Sequence, residues 1–178
     1  DAIWSLQNPQ SKAVANFILD RANGAWWFGA GTERLVRTVH YSFTRTDKRT
    51  DLYGIRHHVA FVRDGDEVKM FVDGIPRRAG GTIVDADKTP PDPSIRFTEV
   101  EKFFLGAAVS RDGKNLTRFF HGSLDEFRIS KSVRYTKAFT PEPVFSKDAE
   151  TVALYHFDEG QGDVLTDSSG NNHRGKIV

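Results

Sequence analysis

The stretch HHVAFVRDGDEVKMFVD, residues 57–73, constrains the fold more than any other part of this chain. Two apolar runs, 57–63 and 67–73, flank Asp64-Gly65-Asp66. Asp-Gly between two such runs is a strong short-range hairpin signal, because the turn it favours matches the twist of paired strands. In the second run Val68, Met70 and Val72 fall on one face. In the first, Val59 and Phe61 alternate with Ala60 and Val62. Apolar side chains thus occupy both faces, which places the hairpin inside a layered structure rather than at a solvated edge. Asp73-Gly74 supplies a further turn where the second run ends.

The same grammar of short period-2 runs bounded by Gly, Asp, Asn and Pro extends along the chain. It predicts strands over 13–19, 25–28, 35–43, 102–108, 117–121, 124–129 and 151–157. Strands do not alternate with helices, so a parallel α/β sheet is not expected; a sandwich or barrel is. Residues 85–94 hold three prolines and four charges and read as an exposed loop, stiffened at Pro90-Pro91. Residues 130–135 are expected to make one helical turn, and the prolines of 140–143 an extended connection. No internal repeat is evident, and residues 1–178 read as one domain.

Composition excludes several function classes. With 38% apolar and 28% charged residues the chain is expected to be soluble and globular. It carries 25 basic against 24 acidic residues, so no global field draws it to nucleic acid or to an anionic membrane. No apolar run approaches the roughly 20 residues of a membrane helix. The chain has no Cys, which excludes disulfides and thiolate-bound zinc. No signal peptide is legible at Asp1, and the chain opens in mid-pattern, as expected of a piece of a longer protein.

Three motifs carry a family resemblance. His57-His58-Val59-Ala60-Phe61-Val62-Arg63-Asp64-Gly65, followed by Lys69-Met70-Phe71-Val72-Asp73-Gly74, is similar to a hairpin of the laminin-G-like jelly rolls of the concanavalin superfamily. Gly122-Ser123-Leu124-Asp125-Glu126-Phe127-Arg128-Ile129 resembles that family's G-x-I-D-E-V-R-I strand. Ala153-Leu154-Tyr155-His156-Phe157-Asp158-Glu159-Gly160, with Asp167-Ser168-Ser169-Gly170-Asn171, resembles its F-D-E-G and D-x-S-G-N element. The resemblance implies an all-β, two-layer antiparallel β-sandwich of jelly-roll topology. It also exposes a departure: the last element normally opens such domains, and here it closes the chain, in residues 150–178. Either the tail strands pair with the rest in a permuted arrangement, the preferred reading because termini usually lie close together, or the tail begins a second module.

Catalysis is not expected. The superfamily's glucanases carry a Glu-x-Asp-x-Glu pattern, and retaining hydrolysis needs two carboxyls about 5 Å apart. Here Asp125 and Glu126 are adjacent and, on a strand, point to opposite faces, with Phe127 and Ile129 in the alternate places. Asp64 and Asp66 lie two apart, but in a tight turn. No G-x-S-x-G elbow and no phosphate loop occurs. His57 and His58 cannot chelate together from opposite faces and read as packing residues.

Binding candidates remain. Calcium favours six to eight oxygen ligands, and Asp167 and Asn171 sit in an oxygen-rich loop, while Asp125 should share the inward face of Phe127 and Ile129. An inward carboxylate needs a metal or hydrogen-bond donors; a structural calcium at Asp125, Asp167 and Asn171 is one reading, an Asx-turn fed by backbone N–H groups the other. Trp27, on the face opposite Trp26 and Phe28, could stack on a sugar ring. Arg45 and Arg49 mark a basic hairpin tip suited to an acidic or sulfated glycan. The sequence thus points to a non-catalytic module recognising carbohydrate or a cell-surface protein, carried by a larger exported protein at an extracellular, periplasmic or surface location. The alternatives are a structural or protein-contact domain without a small ligand and, more remotely, a glycan-active enzyme.

Overall fold

The computed structural model describes residues 2–8, 13–20, 25–31, 36–37, 54–64, 67–77, 102–110, 112 and 114–178. Among these, every regular element is a strand: β1 (Ala2–Asn8), β2 (Ala13–Asp20), β3 (Ala25–Gly31), β4 (Val36–Arg37), β5 (Val59–Asp64), β6 (Glu67–Val72), β7 (Ile75–Arg77), β8 (Lys102–Leu105), β9 (Ala108–Val109), β10 (Leu116–Thr117), β11 (Phe127–Ser130), β12 (Thr151–Tyr155), β13 (Val164–Leu165) and β14 (Gly175–Lys176). Two compact units result, Asp1–His57 with Arg77–His121 and His58–Pro76 with Gly122–Val178.

In the first unit the order β4-β3-β2-β1-β8 makes a five-stranded sheet, antiparallel throughout. Trp4 and Leu6 of β1 lie opposite Leu105 and Phe103 of β8, and the Trp4 ring stacks on Phe103 at 5.9 Å. The alternate position holds Ser5, 0% exposed. A buried hydroxyl needs partners, and Ser5 donates to the Ala107 carbonyl at 2.9 Å and accepts the Val109 N–H at 3.1 Å. One polar side chain thereby fastens the start of the β9–β10 hairpin to the middle of β1.

The single strand expected over 102–108 is two. Gly106, at φ 77°, turns the chain between β8 and β9, donating its N–H to Ile3 and accepting that of Phe120. The strand expected over 117–121 is Leu116–Thr117 instead, followed by Arg118 at φ 53°.

In the second unit β5, β6 and β7 form a three-stranded sheet. Asp64 pairs with Glu67 and Val59 with Val72, so the hairpin is where it was expected but Asp64, read as part of the turn, is the last residue of β5. Met70, Phe71 and Val72 are consecutive yet 2%, 0% and 2% exposed, so both faces of β6 are covered. Burial of side chains this large contributes roughly 1.5–3 kcal/mol each. Asp73 and Gly74, at φ 53° and 74°, form the tight turn into β7, the positive-φ pair of a type I′ hairpin.

The tail belongs to this second unit. Strand β12 pairs antiparallel with β11, Phe127 opposite Tyr155 and Ile129 opposite Ala153, and β13 pairs with β14. Strand β11 starts at Phe127 because Glu126 sits at φ 54°. The helical turn expected over 130–135 is absent. A side-chain clamp orders that segment: Arg134 donates to both carboxylate oxygens of Asp148, at 2.6 and 2.8 Å, and to the Ser130 hydroxyl. The proline-rich stretch 85–94 and the interior of the strand expected over 35–43 lie outside the described residues.

Candidate functional site

Strand β12 has one edge paired with β11 and another to satisfy. The loop Asp167-Ser168-Ser169-Gly170-Asn171 satisfies it. Ser168 donates its N–H to the Leu154 carbonyl at 2.7 Å, and the Leu154 N–H donates to Asp167 Oδ1 at 3.0 Å. Asn171 donates its side-chain amide to the Thr151 and Val152 carbonyls at 3.0 and 2.9 Å. Side chains here complete a ladder that a further strand would otherwise supply.

Asp167 is the hub. Its Oδ1 also accepts the Ser169 N–H at 2.9 Å; its Oδ2 accepts the His173 N–H at 2.9 Å and lies 2.8 Å from the Ser169 hydroxyl. Burial raises its pKa, but the N–H groups of Ser169, His173 and Leu154 and the Ser169 hydroxyl outweigh burial and bring it down to about 2. Close by, the Tyr155 hydroxyl donates to the His173 carbonyl at 2.6 Å, and burial, then the Asp167 charge, push the phenol up.

This arrangement is that of the Asx-turn alternative, a carboxylate fed by backbone N–H groups. A carboxylate offers about four acceptor positions, and protein donors fill all four on Asp167. Asn171 turns its NH2 toward β12. Among the described residues no three His, Asp or Glu side chains gather into one cluster. The inward placement expected for Asp125 also fails, since Asp125 is exposed. The reason is conformational: Glu126 is left-handed, so strand alternation cannot be extrapolated from Phe127 back to Asp125.

The neighbouring Glu126 is the residue that turns inward, and the sequence reading missed it. Glu126 Oε1 lies 2.9 Å from His156 Nδ1, and Oε2 accepts the Phe145 N–H at 2.8 Å. The β11–β12 register explains the meeting: with Phe127 opposite Tyr155, the next residues outward are Glu126 and His156. That pairing was the signal available, and it needs the knowledge that these two strands are partners.

Other acids in this unit are similarly engaged. Glu159 accepts the Thr166 N–H, which holds its carboxyl below the ordinary value. Asp148 is held far below the usual carboxylate range by the Arg134 guanidinium and then by the Thr151 hydroxyl.

Of the residues expected to meet a ligand, Trp27 lies on β3, paired with Ile18 of β2. Arg45 and Arg49 lie outside the described residues. His58 is a packing residue: its ring lies against those of Tyr135, Phe139 and Phe145. No helix among the described residues is long and apolar enough to cross a membrane.

A laminin-G family model, described as the concanavalin A-like lectin/glucanases superfamily, matches residues 7–144, more than half of the 178-residue chain. No curated protein and no solved structure matches it.

Proposed function

Since the chain belongs to the concanavalin A-like lectin/glucanase superfamily, with the antiparallel all-β sheets of that sandwich class, we propose that it is a non-catalytic recognition module for carbohydrate or a glycosylated surface protein, carried by a larger exported protein. The observation that supports the reading is what four acidic groups among the described residues do. Glycoside hydrolysis needs one carboxyl raised so that it keeps its proton and a second left free to attack or to activate water. Glu126, Asp148, Glu159 and Asp167 instead hold N–H and guanidinium groups of their own fold. The shifts of Asp112, Asp148, Glu159 and Asp167 all run downward, opposite to a proton donor's.

Contact would fall to the sheet face bearing Trp27, where an indole stacks on a sugar ring, and to Arg45 and Arg49, whose forked donors suit carboxylate or sulfate groups. A glycan array probed with the full chain tests this. Binding to a subset of glycans is expected, with Trp27→Ala or Arg45→Ala/Arg49→Ala weakening it by tenfold or more. No bound glycan, or release of shorter sugars from the array, would overturn it. A protein-contact role draws its support from Ile75 and Val144, which are 55% and 62% exposed within the second unit.

A further inference from the structure

Residues 135–145 form a strap without regular structure across one face of the β5–β6 hairpin. Tyr135 and Phe139 stack on each other, and both pack on Phe71. The strap is pinned at two backbone points: the Phe139 N–H donates to Gly74, and the Phe145 N–H to Glu126. His58 sits beneath it, its ring centroid 6.2, 5.4 and 5.7 Å from those of Tyr135, Phe139 and Phe145, each nearly perpendicular to it. Its Nδ1 is buried and has no hydrogen-bond partner.

We propose that His58 is an acid-operated latch, and that protonating its ring releases the strap 135–145 from the β5–β6 hairpin. Neutral imidazole can leave Nδ1 as a bare acceptor at modest cost. Imidazolium carries N–H donors on both nitrogens, and at Nδ1 that donor would be buried with no acceptor.

Among the described residues, the charged groups acting on the ring are Arg128, Asp73 and Glu142. Arg128, on β11, donates to the Tyr135 hydroxyl at 3.1 Å and lies 4.4 Å over the Phe145 ring, so a cation already sits among the strap's aromatics and repels a second. Asp73, at the end of the hairpin, attracts the imidazolium, but one of its oxygens accepts the His58 backbone N–H. Glu142, on the strap, also attracts it but is exposed and lies 4.0 Å from Arg128. Burial outweighs both carboxylates, and the pKa of His58 falls below its ordinary 6.5. A base depressed in the folded state binds more protons once released, so the closed strap is fully stabilised above pH 6.5 and loosens as pH falls toward the folded value.

Amide hydrogen exchange on the full chain, corrected for intrinsic rates, tests the latch at pH 7.5 and pH 5. Protection of the Phe139 and Phe145 amides is expected to fall about tenfold for each pH unit separating the free and folded ring, while β12 amides hold. His58→Phe, which fills the space without titrating, should abolish the fall. In the unmodified chain, the strap amides should also titrate with the midpoint of the His58 ring proton in an NMR series. Three results would each overturn the proposal: an equal fall in His58→Phe, a strap midpoint differing from that of the His58 ring, or strap amides better protected in acid, which would mean the rings grip imidazolium as a cation–π partner.

Discussion

The carbonyl oxygen of Phe139 occupies the place where a β-carbon on residue 74 would have to stand, and the Phe139 N–H donates to the Gly74 carbonyl at 3.0 Å. The strap and the β6–β7 turn are therefore in backbone contact, an approach only glycine permits. Gly74→Ala should cost about 3 kcal/mol or more: a left-handed non-glycine residue costs about 1–2 kcal/mol, and displacing the Phe139 peptide adds a packing penalty. Gly54 is equally left-handed, at φ 78°, but a β-carbon there meets no described residue within 4 Å. Gly54→Ala should cost only the conformational part. Urea unfolding of the two variants compares them directly.

Asp167→Ala leaves the N–H groups of Leu154, Ser169 and His173 without their acceptor. Stranded donors at a half-buried site should cost about 2–4 kcal/mol in equilibrium unfolding. The acid response follows from the same bonds. The Asp167 carboxyl falls from the ordinary 3.8 to about 2 on folding. A depressed folded pKa gives stability that is complete above about pH 4 and lost as pH drops toward about 2; with solvent screening this amounts to about 1 kcal/mol. Denaturant midpoints between pH 2 and 5 should slope less steeply in Asp167→Ala, with Asp148, Glu159 and Asp112, which move in the same direction, contributing to the slope that remains.

Calcium or a chelator should leave the melting midpoint unchanged, since a ligand stabilises only a fold that holds it and the acceptor positions of Asp167 are filled by protein donors. A midpoint that rises with calcium and falls with chelator would favour the cation reading instead.

Much of the fold was legible. The β5–β6 hairpin and its double coverage follow from the Asp-Gly turn and the apolar residues on both faces around Met70. Several strand bounds failed at single residues whose backbone turns left-handed. Gly106 splits one expected strand in two, and Glu126 and Phe157 trim two others. A period-2 reading assumes extended backbone at every step, so one positive φ reverses the faces it assigns. That is how Asp125 was expected inside and Glu126 was overlooked. Strand β1 went unread because Ile3 and Trp4 adjoin, which blurs its period.

Ser5→Ala removes the hydroxyl joining β1 to Ala107 and Val109, leaving a buried carbonyl and N–H without a partner. A loss of about 1–3 kcal/mol is expected in thermal or urea unfolding. Ser5→Cys, similar in shape but a weak donor, should recover little of it.

The Asp167–Asn171 loop has a meaning for how copies of this chain behave toward one another. A bare strand edge is a template onto which a second chain can grow, and β12 is apolar, with Ala153, Leu154 and Tyr155 in succession. Carboxylate and amide groups stopper that edge without offering a new one in turn. Protection of this edge thus rests on a few polar atoms, and cutting or unbuttoning the loop would hand the next copy a place to dock.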